Sequence, residues 1–227
     1  MHKPFDVEFM ETSDGSHTLR LMGADEQYHS RNGALQESQH VFIRAGLHSV
    51  MHLNDPLHIL EVGLGTGLNA LLTCIESVEG LRKVLYHALE PFPLDPEIVE
   101  KLNYPRLFSQ NWVPEAFQAI HGATEDPYQC VGDVFFLKRF KTTVQEASLA
   151  DNIYNLVYFD AFGPDTQPEM WTTDVFCRIA KWMQPQGVLV TYCAKGAVRR
   201  ALKSAGFQVE RLPGPPGKRE MTRAVKL

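Results

Sequence analysis

Short, wholly apolar runs alternate with amphipathic stretches along this chain, and the alternation predicts buried parallel strands joined by helices. The runs are Ile59-Leu60-x-Val62, residues 83–90, 135–141, 155–160 and 188–193. Helical patterning lies between them, over 68–75, 94–102, 112–120, 173–183 and 198–205. Ahead of the first run, Asp14-Gly15 is a hairpin signal flanked by Val7/Phe9 and Thr18/Leu19/Leu21. A helix over 34–53 follows, with Leu35, Val41, Phe42 and Ala45 on one face and Asn54-Asp55-Pro56 as its stop. At the other end, 207–212 and 223–227 read as an antiparallel pair around a Pro/Gly-rich turn. The expected architecture is α/β: a doubly wound, mostly parallel sheet with helices on both faces and a C-terminal antiparallel hairpin. Residues 1–55 form a small β-hairpin and helix elaboration, and 56–227 form the main domain.

The first apolar run leads into Glu61-Val62-Gly63-Leu64-Gly65-Thr66-Gly67-Leu68-Asn69. Three glycines turn a strand into a helix, so a ligand can lie against bare main chain and face a helix N-terminus. One residue separates the second and third glycines, where a dinucleotide fingerprint has two, and Glu61 adds an acid that a pyrophosphate would repel. Glu90, at the end of the second strand and 23 residues beyond Gly67, is placed to hold two ribose hydroxyls. A helix-capping role before Pro91 is its alternative. Asp160 ends the strand 155–160, above the same crevice, with Phe162, Pro164, Pro168, Met170 and Trp171 in the loop behind it. It either caps that loop or takes part in the chemistry. Next to the adenine position, Asp133 competes with Thr142 and Thr143. The strand composition of 135–141 puts Asp133 at the wrong end and favours the threonines. Tyr28, His29 and Glu37, ahead of the sheet, are either packing residues or part of a lid.

Composition narrows the class. The chain has 227 residues, enough for one sizeable α/β core. It lacks an apolar run near membrane-span length, and its first residues lack a signal-peptide core. The four cysteines are scattered and none of the nine histidines falls in an H-E-x-x-H pattern, so neither a disulfide frame nor a metal site is expected. A cytoplasmic protein is the expectation. Charge is divided: residues 195–227 hold nine Lys/Arg against Glu210 and Glu220, a balance of +7, leaving −12 of the overall −5 on residues 1–194. The basic end is either a solvated helix and hairpin or a footprint for a phosphate backbone.

The quoted segments together resemble the methyltransferase component of the tRNA 5-methylaminomethyl-2-thiouridine biosynthesis family, in a stand-alone form. The resemblance rests on Tyr28-His29-Ser30, the glycine motif, Asp160-Ala161-Phe162-x-Pro164 with Pro168-Glu169-Met170-Trp171, Lys195-Gly196-x-Val198-Arg199-Arg200, and Gly217-Lys218-Arg219-Glu220-Met221. It implies a class I, Rossmann-like methyltransferase fold and S-adenosylmethionine as methyl donor. The implied reaction is N-methylation of the 5-aminomethyl group of (2-thio)uridine at the tRNA wobble position. Cofactor contacts are then expected from Glu61, Gly63, Gly65, Thr66, Gly67, Asn69, Glu90 and Thr143, with Tyr28 and Glu37. Asp160 is the expected catalytic residue. Substrate contacts fall to Phe162, Pro164, Trp171, Lys195, Arg199, Arg200, Lys218 and Arg219. The implied partners are the tRNA anticodon arm and a separate flavin-dependent oxidase or amine-forming tRNA-modification complex. A polyamine aminopropyltransferase, whose family shares the fold and a Tyr-His-containing N-terminal segment, and a non-catalytic RNA-binding protein are the competing readings.

Overall fold

The computed structural model describes residues 6–23, 26–53 and 55–227, so Asn54 of the expected helix stop and the N-terminal residues 1–5 lie outside it. Strand β1 (Val7–Glu11) pairs antiparallel with β2 (His17–Leu21) across the Asp14-Gly15 turn, where Gly15 has φ +80°. The Asp14 carboxylate accepts from the Ser16 amide (3.0 Å) and the Gln36 amide (2.9 Å), which fastens the hairpin to the next helix. That helix runs as α1 (Ala34–Ser38), a wider-wound π segment (Gln39–Leu47) and α2 (His48–Val50). It buries Val41, Phe42, Leu47 and Val50, and at Gly46 the sheet comes close. A Cβ there would stand 2.9 Å from Val190.

Eight strands form the main sheet, in the order β5-β6-β4-β3-β7-β8-β10-β9. The apolar runs are its centre: β3 (Leu57–Val62), β4 (Val84–Leu89), β6 (Phe135–Phe140) and β7 (Tyr154–Phe159), all parallel where they pair. β7 is buried at every position because it is covered on both sides, while β6, nearer the sheet edge, carries half-buried Lys138 and Arg139. One layer buries Ile59, Tyr86, Leu137 and Tyr158 under the N-terminal helix, α3 (Leu68–Glu79) and α5 (Val113–Gly122). The other buries Leu60, Leu89, Val157 and Phe159 under α6 (Thr173–Trp182) and α7 (Gly196–Ser204). From β3 the chain winds outward through β4 to β6, then returns to β7 on the other side of β3. The carboxyl ends of β3 and β7 therefore adjoin while their loops diverge, which opens the crevice where such sheets bind ligands.

β8 (Met183–Thr191) runs parallel to β7, and the hairpin β9 (Phe207–Pro213) and β10 (Glu220–Lys226) closes the sheet antiparallel, as patterned. Two local expectations are corrected and one strand is added. Residues 94–102 hold only one helical turn, α4 (Pro96–Val99), followed by a 3-10 turn (Tyr104–Leu107), because burying Val99, Leu102 and Tyr104 folds the segment onto the N-terminal hairpin. The Tyr104 hydroxyl donates to the His17 carbonyl at 2.7 Å. β5 (Gln129–Val131), with no apolar signal of its own, is recruited as an edge by β6. β8 begins at Met183 rather than 188, since an irregularity in its pairing with β7 absorbs Pro185-Gln186-Gly187 inside the strand.

Candidate active site

Each glycine of the turn after β3 has a reason in the structure. Gly63, Gly65 and Gly67 have φ of +89°, +50° and +75°. A Cβ on Gly63 would lie 2.8 Å from the Asp160 carbonyl oxygen, so only glycine lets the ends of β3 and β7 meet. A Cβ on Gly65 would press the Tyr28 ring at 3.0 Å, and one on Gly67 the His121 Nε2 at 2.7 Å. Glu90, just past β4, closes the turn from the side. Its Oε2 accepts from the Gly65 amide (3.0 Å) and its Oε1 from the Phe92 amide (2.9 Å). Burial holds its pKa above the ordinary carboxylate value, against the pull of those amides.

Asp160 stands across the crevice, on the loop side of β7. The Asn69 side-chain amide, in the first turn of α3, donates one hydrogen to Asp160 Oδ2 (2.8 Å) and another to Glu61 Oε1 (3.0 Å). Glu61 is 0% exposed, with the buried Tyr86 hydroxyl as its other polar neighbour. Burial, first, and the neighbouring Asp160 raise its pKa well above the ordinary carboxylate value. Asp160 itself is pushed up to about 7 by burial and by the charge of Glu37, with Asn69 and Lys218 pulling the other way. Two acids and one amide thus form a chain from the strand interior to the crevice, and only its outer member lines the cleft.

The cleft has a volume of about 490 Å³. Gly63, Gly65, Thr66, Glu90, Thr142, Thr143, Asp160, Phe162 and Tyr28 line it, which brings together residues spread over 134 positions of sequence. Phe162 and Tyr28 meet edge to face at 5.0 Å. Both threonines of the adenine alternative are lining, whereas Asp133 sits in the β5–β6 turn with φ +58°, outside the lining. Gly67, Asn69 and Glu61 lie behind the wall and shape it. Trp171 also stands behind: its Nε1 donates to the Phe162 carbonyl (2.8 Å) while its ring packs on Phe159, so it braces the loop instead of offering a face.

Sequence reasoning missed one whole wall, formed by Pro91, Phe92, Pro93, Leu94 and Ile98, since Leu94 and Ile98 read as part of the helix 94–102 and residues 91–93 were given no role. The signal available was Pro91-x-Pro93 directly after the acid, which disfavours a helix start there. It also missed Gln145 and Glu146 in the turn after Thr143, and Tyr192, whose hydroxyl donates to the Ala161 carbonyl at 2.9 Å.

Beyond Tyr192 a more open hollow of about 640 Å³ is lined by Pro164, Lys195, Lys218 and Arg219, with Glu26, Asp165 and Glu220. The basic residues there are not alike. Lys195 pairs with Asp165, and Lys218 pairs with Glu37 at 2.6 Å. Arg199 is the clear departure from expectation: it is buried, with Nη2 on Glu220 (2.6 Å) and Nε on Thr222 (3.3 Å), so it ties α7 to β10 instead of facing a phosphate. Arg200 and Arg219 are exposed, with no ion pair among the described residues. Among the described residues there is also no cluster of three or more His, Cys, Asp or Glu able to hold a metal, and no helix long and apolar enough to cross a membrane.

Comparison with known proteins gives this geometry a lineage. A bifunctional protein of tRNA 5-methylaminomethyl-2-thiouridine biosynthesis, MnmC of Cupriavidus metallidurans, is 31% identical over 213 residues, covering 87% of this chain and 31% of that protein. The Pseudomonas fluorescens protein of the same name is 30% identical over 210 residues, covering 88% and 32%. The chain thus spans about a third of the length of these relatives. Among solved structures, MNMC2 from Aquifex aeolicus superposes with a TM-score of 0.74 at 27% identity, covering 97% of this chain and 70% of that one. Spermidine synthase from Thermotoga maritima, at 12% identity and a TM-score of 0.53, shares the fold (100% and 70% covered). The resemblance read from the motifs is borne out. Residues 106–227 match the model of an S-adenosyl-L-methionine-dependent methyltransferase family, more than half of the chain, and with the glycine turn, Glu90 and the crevice in place the protein belongs to that family.

Proposed function

We propose that the chain methylates the exocyclic amine of 5-aminomethyl-(2-thio)uridine at the wobble position of tRNA, giving the 5-methylaminomethyl nucleoside. The observation that carries the reading is Asp160, a carboxyl that lines the cleft beside the glycine turn, held by the Asn69 amide at 2.8 Å and pushed up to about 7 by burial. The residues present fit the donor: a glycine turn whose Gly63 and Gly65 bring bare main chain to the cleft, a ribose-directed acid and an apolar wall for a flat ring. Glu90 would hold the ribose hydroxyls, while Phe92 and Ile98 on one side and Thr142 and Thr143 on the other flank the adenine. Bound S-adenosylmethionine supplies an electrophilic methyl group, which the substrate amine accepts once its ammonium form has lost one proton, leaving a methylated ammonium.

An alkylamine has a pKa near 10, so the substrate arrives mainly as the ammonium ion. Ionised Asp160 attracts that ammonium, and its oxygen opposite Asn69 accepts the proton as the amine turns its lone pair toward the methyl group. A carboxyl near 7 suits this task, being ionised often enough to receive a proton and basic enough to keep it. Most of the acceleration would come from holding the two groups in line within a closed cleft. Phe162 and Tyr28 border the position of the uracil, and RNA bases read out of a loop stack on such rings. Exposed Arg200 and Arg219, with Lys195, would follow the anticodon-arm phosphates, so the protein would work in the cytoplasm. A separate flavin-dependent oxidase or amine-forming complex would supply the aminomethyl precursor.

The test is nucleoside mass spectrometry of tRNA carrying 5-aminomethyl-uridine after incubation with the protein and S-adenosylmethionine. The expected product is the wobble nucleoside heavier by one methylene unit. Spermidine formed from decarboxylated donor and putrescine, with tRNA unchanged, would assign the chain to aminopropyl transfer. Binding of tRNA with neither product would leave an RNA-binding protein.

A further inference from the structure

Glu37 and Lys218 are 181 positions apart in sequence, yet they form one of the more enclosed ion pairs of the protein. Lys218 Nζ lies 2.6 Å from Glu37 Oε1, with the Glu37 side chain only 7% exposed. The other oxygen, Oε2, accepts from the Ser30 amide at 2.7 Å, so the carboxylate is fixed from behind. The same ammonium stands 4.2 Å above the centroid of the Tyr192 ring. A carboxylate and an aromatic face around one nitrogen is the chemistry that recognises an alkylammonium ion.

The location adds to this. Tyr192 lines both the cleft that holds Asp160 and the basic hollow outside, and Lys218 lines the hollow. Glu37 is close enough to Asp160 for its charge to raise that group's pKa, and Lys218 lowers it. His29, the other basic group there, does not compensate Glu37, because burial drives its pKa to about 4 and leaves it neutral. The backbone under Lys218 is anchored: the Pro213 carbonyl bonds His40 Nε2 at 2.8 Å, and Gly217 packs against Asn32 with no room for a Cβ. The side chain alone is free to change partners, and at 33% exposure it has a path to the hollow.

We propose that Glu37 and Tyr192 form an alkylammonium subsite at the entrance to Asp160, filled in the free protein by Lys218 and vacated when a nucleotide phosphate in the hollow draws Lys218 outward. An aminomethyl nucleotide brings one cation and one anion, and the Glu37–Lys218 pair offers the matching anion and cation, which neutralise each other until it arrives. Exchange keeps every charge paired, so neither carboxylate nor ammonium is stranded in a desolvated site. A nucleotide without the amine would leave Glu37 bare, and the subsite thereby discriminates against unmodified uridine. The occupant's identity rests on the aminomethyl-uridine reading above.

The experiment measures ethylammonium binding by NMR chemical-shift perturbation, with cooperative thermal unfolding as the check that each variant is folded. Lys218→Met should bind ethylammonium at least about tenfold more tightly than the unaltered protein, the scale of one charge-assisted hydrogen bond. Adding Glu37→Gln should abolish the gain. In the unaltered protein, uridine 5′-monophosphate should strengthen ethylammonium binding, and reciprocally, because both act on the position of Lys218. Equal affinity in Lys218→Met and the unaltered protein, a gain that survives Glu37→Gln, or no coupling to the mononucleotide would overturn the subsite. Methyl transfer to tRNA is assayed separately. Its failure with ammonium binding intact overturns the substrate reading alone, and the reverse pattern overturns the subsite alone.

Discussion

Asp160→Asn should make the protein more stable and less active at once, and the two effects should have different pH dependence. The native pKa of about 7, against 3.8 for a free aspartate, means that the folded protein holds this proton more tightly than the unfolded chain. The sign follows from linkage: stability is greatest below about pH 4 and falls as pH rises toward and through 7, where the folded protein must ionise a desolvated carboxyl beside Glu37. At about 1.4 kcal/mol per pH unit, the interval sets an upper bound of about 4 kcal/mol, and solvent in the open cleft reduces it to roughly 2. The neutral amide carries no such penalty and can still accept the Asn69 hydrogen bond. Chemical denaturation at pH 8 should therefore show Asp160→Asn more stable by about 2 kcal/mol, with the difference closing by about pH 4. Single-turnover transfer to aminomethyl-uridine tRNA should meanwhile slow by about two orders of magnitude or more, with S-adenosylmethionine affinity by calorimetry little changed. A variant destabilised at pH 8, or one with full activity at neutral pH, would refute the assignment of Asp160 as a strained, proton-accepting carboxylate.

Three further outcomes follow from the same geometry. The rate of transfer should rise with pH through an apparent pKa near 7, since the ionised form of Asp160 accepts the proton, and Asp160→Asn should lose that limb and recover partly at high pH. S-adenosylmethionine should raise the thermal midpoint by mass action, and Glu90→Ala should weaken its binding by about 1.5–3 kcal/mol per lost charge-assisted bond. Glu90→Gln, keeping one acceptor for Gly65 or Phe92, should lose less, and calorimetry that finds the two variants equal would count against the ribose contact. Arg199→Ala should lower the melting temperature but leave the salt dependence of tRNA binding intact, whereas Arg219→Ala should flatten that slope by about one unit.

Much of the site was legible before any coordinate, and for one reason. In a doubly wound sheet the carboxyl ends of parallel strands gather on one edge, so a residue that ends a recognisable apolar run is already assigned to the crevice. That places the glycine turn after β3, Glu90 after β4, Thr142 and Thr143 beyond β6, and Asp160 after β7. Each is a local signal with a topological consequence. The register of the strand before them likewise leaves Thr142 and Thr143, and not Asp133, in the cleft lining.

What only the tertiary structure decided is where side chains of equal chemical promise turn. Arg199 and Arg200 are neighbours on a basic helix, yet the buried face of that helix takes Arg199 inward to Glu220 and leaves Arg200 exposed. Glu61 precedes the glycines in a functional motif, but alternation along a strand covered on both faces buries it wholly, and it reaches the cleft only through Asn69. Lys218 belongs by sequence to a basic turn suited to phosphate, and the docking of that turn on residues 32–40 delivers it to Glu37 instead. Sequence periodicity reports which face of an element is apolar and where the element stops. It carries no record of which distant charge meets a given one, because that pairing depends on how whole elements pack and on where burial makes an unpaired charge too costly.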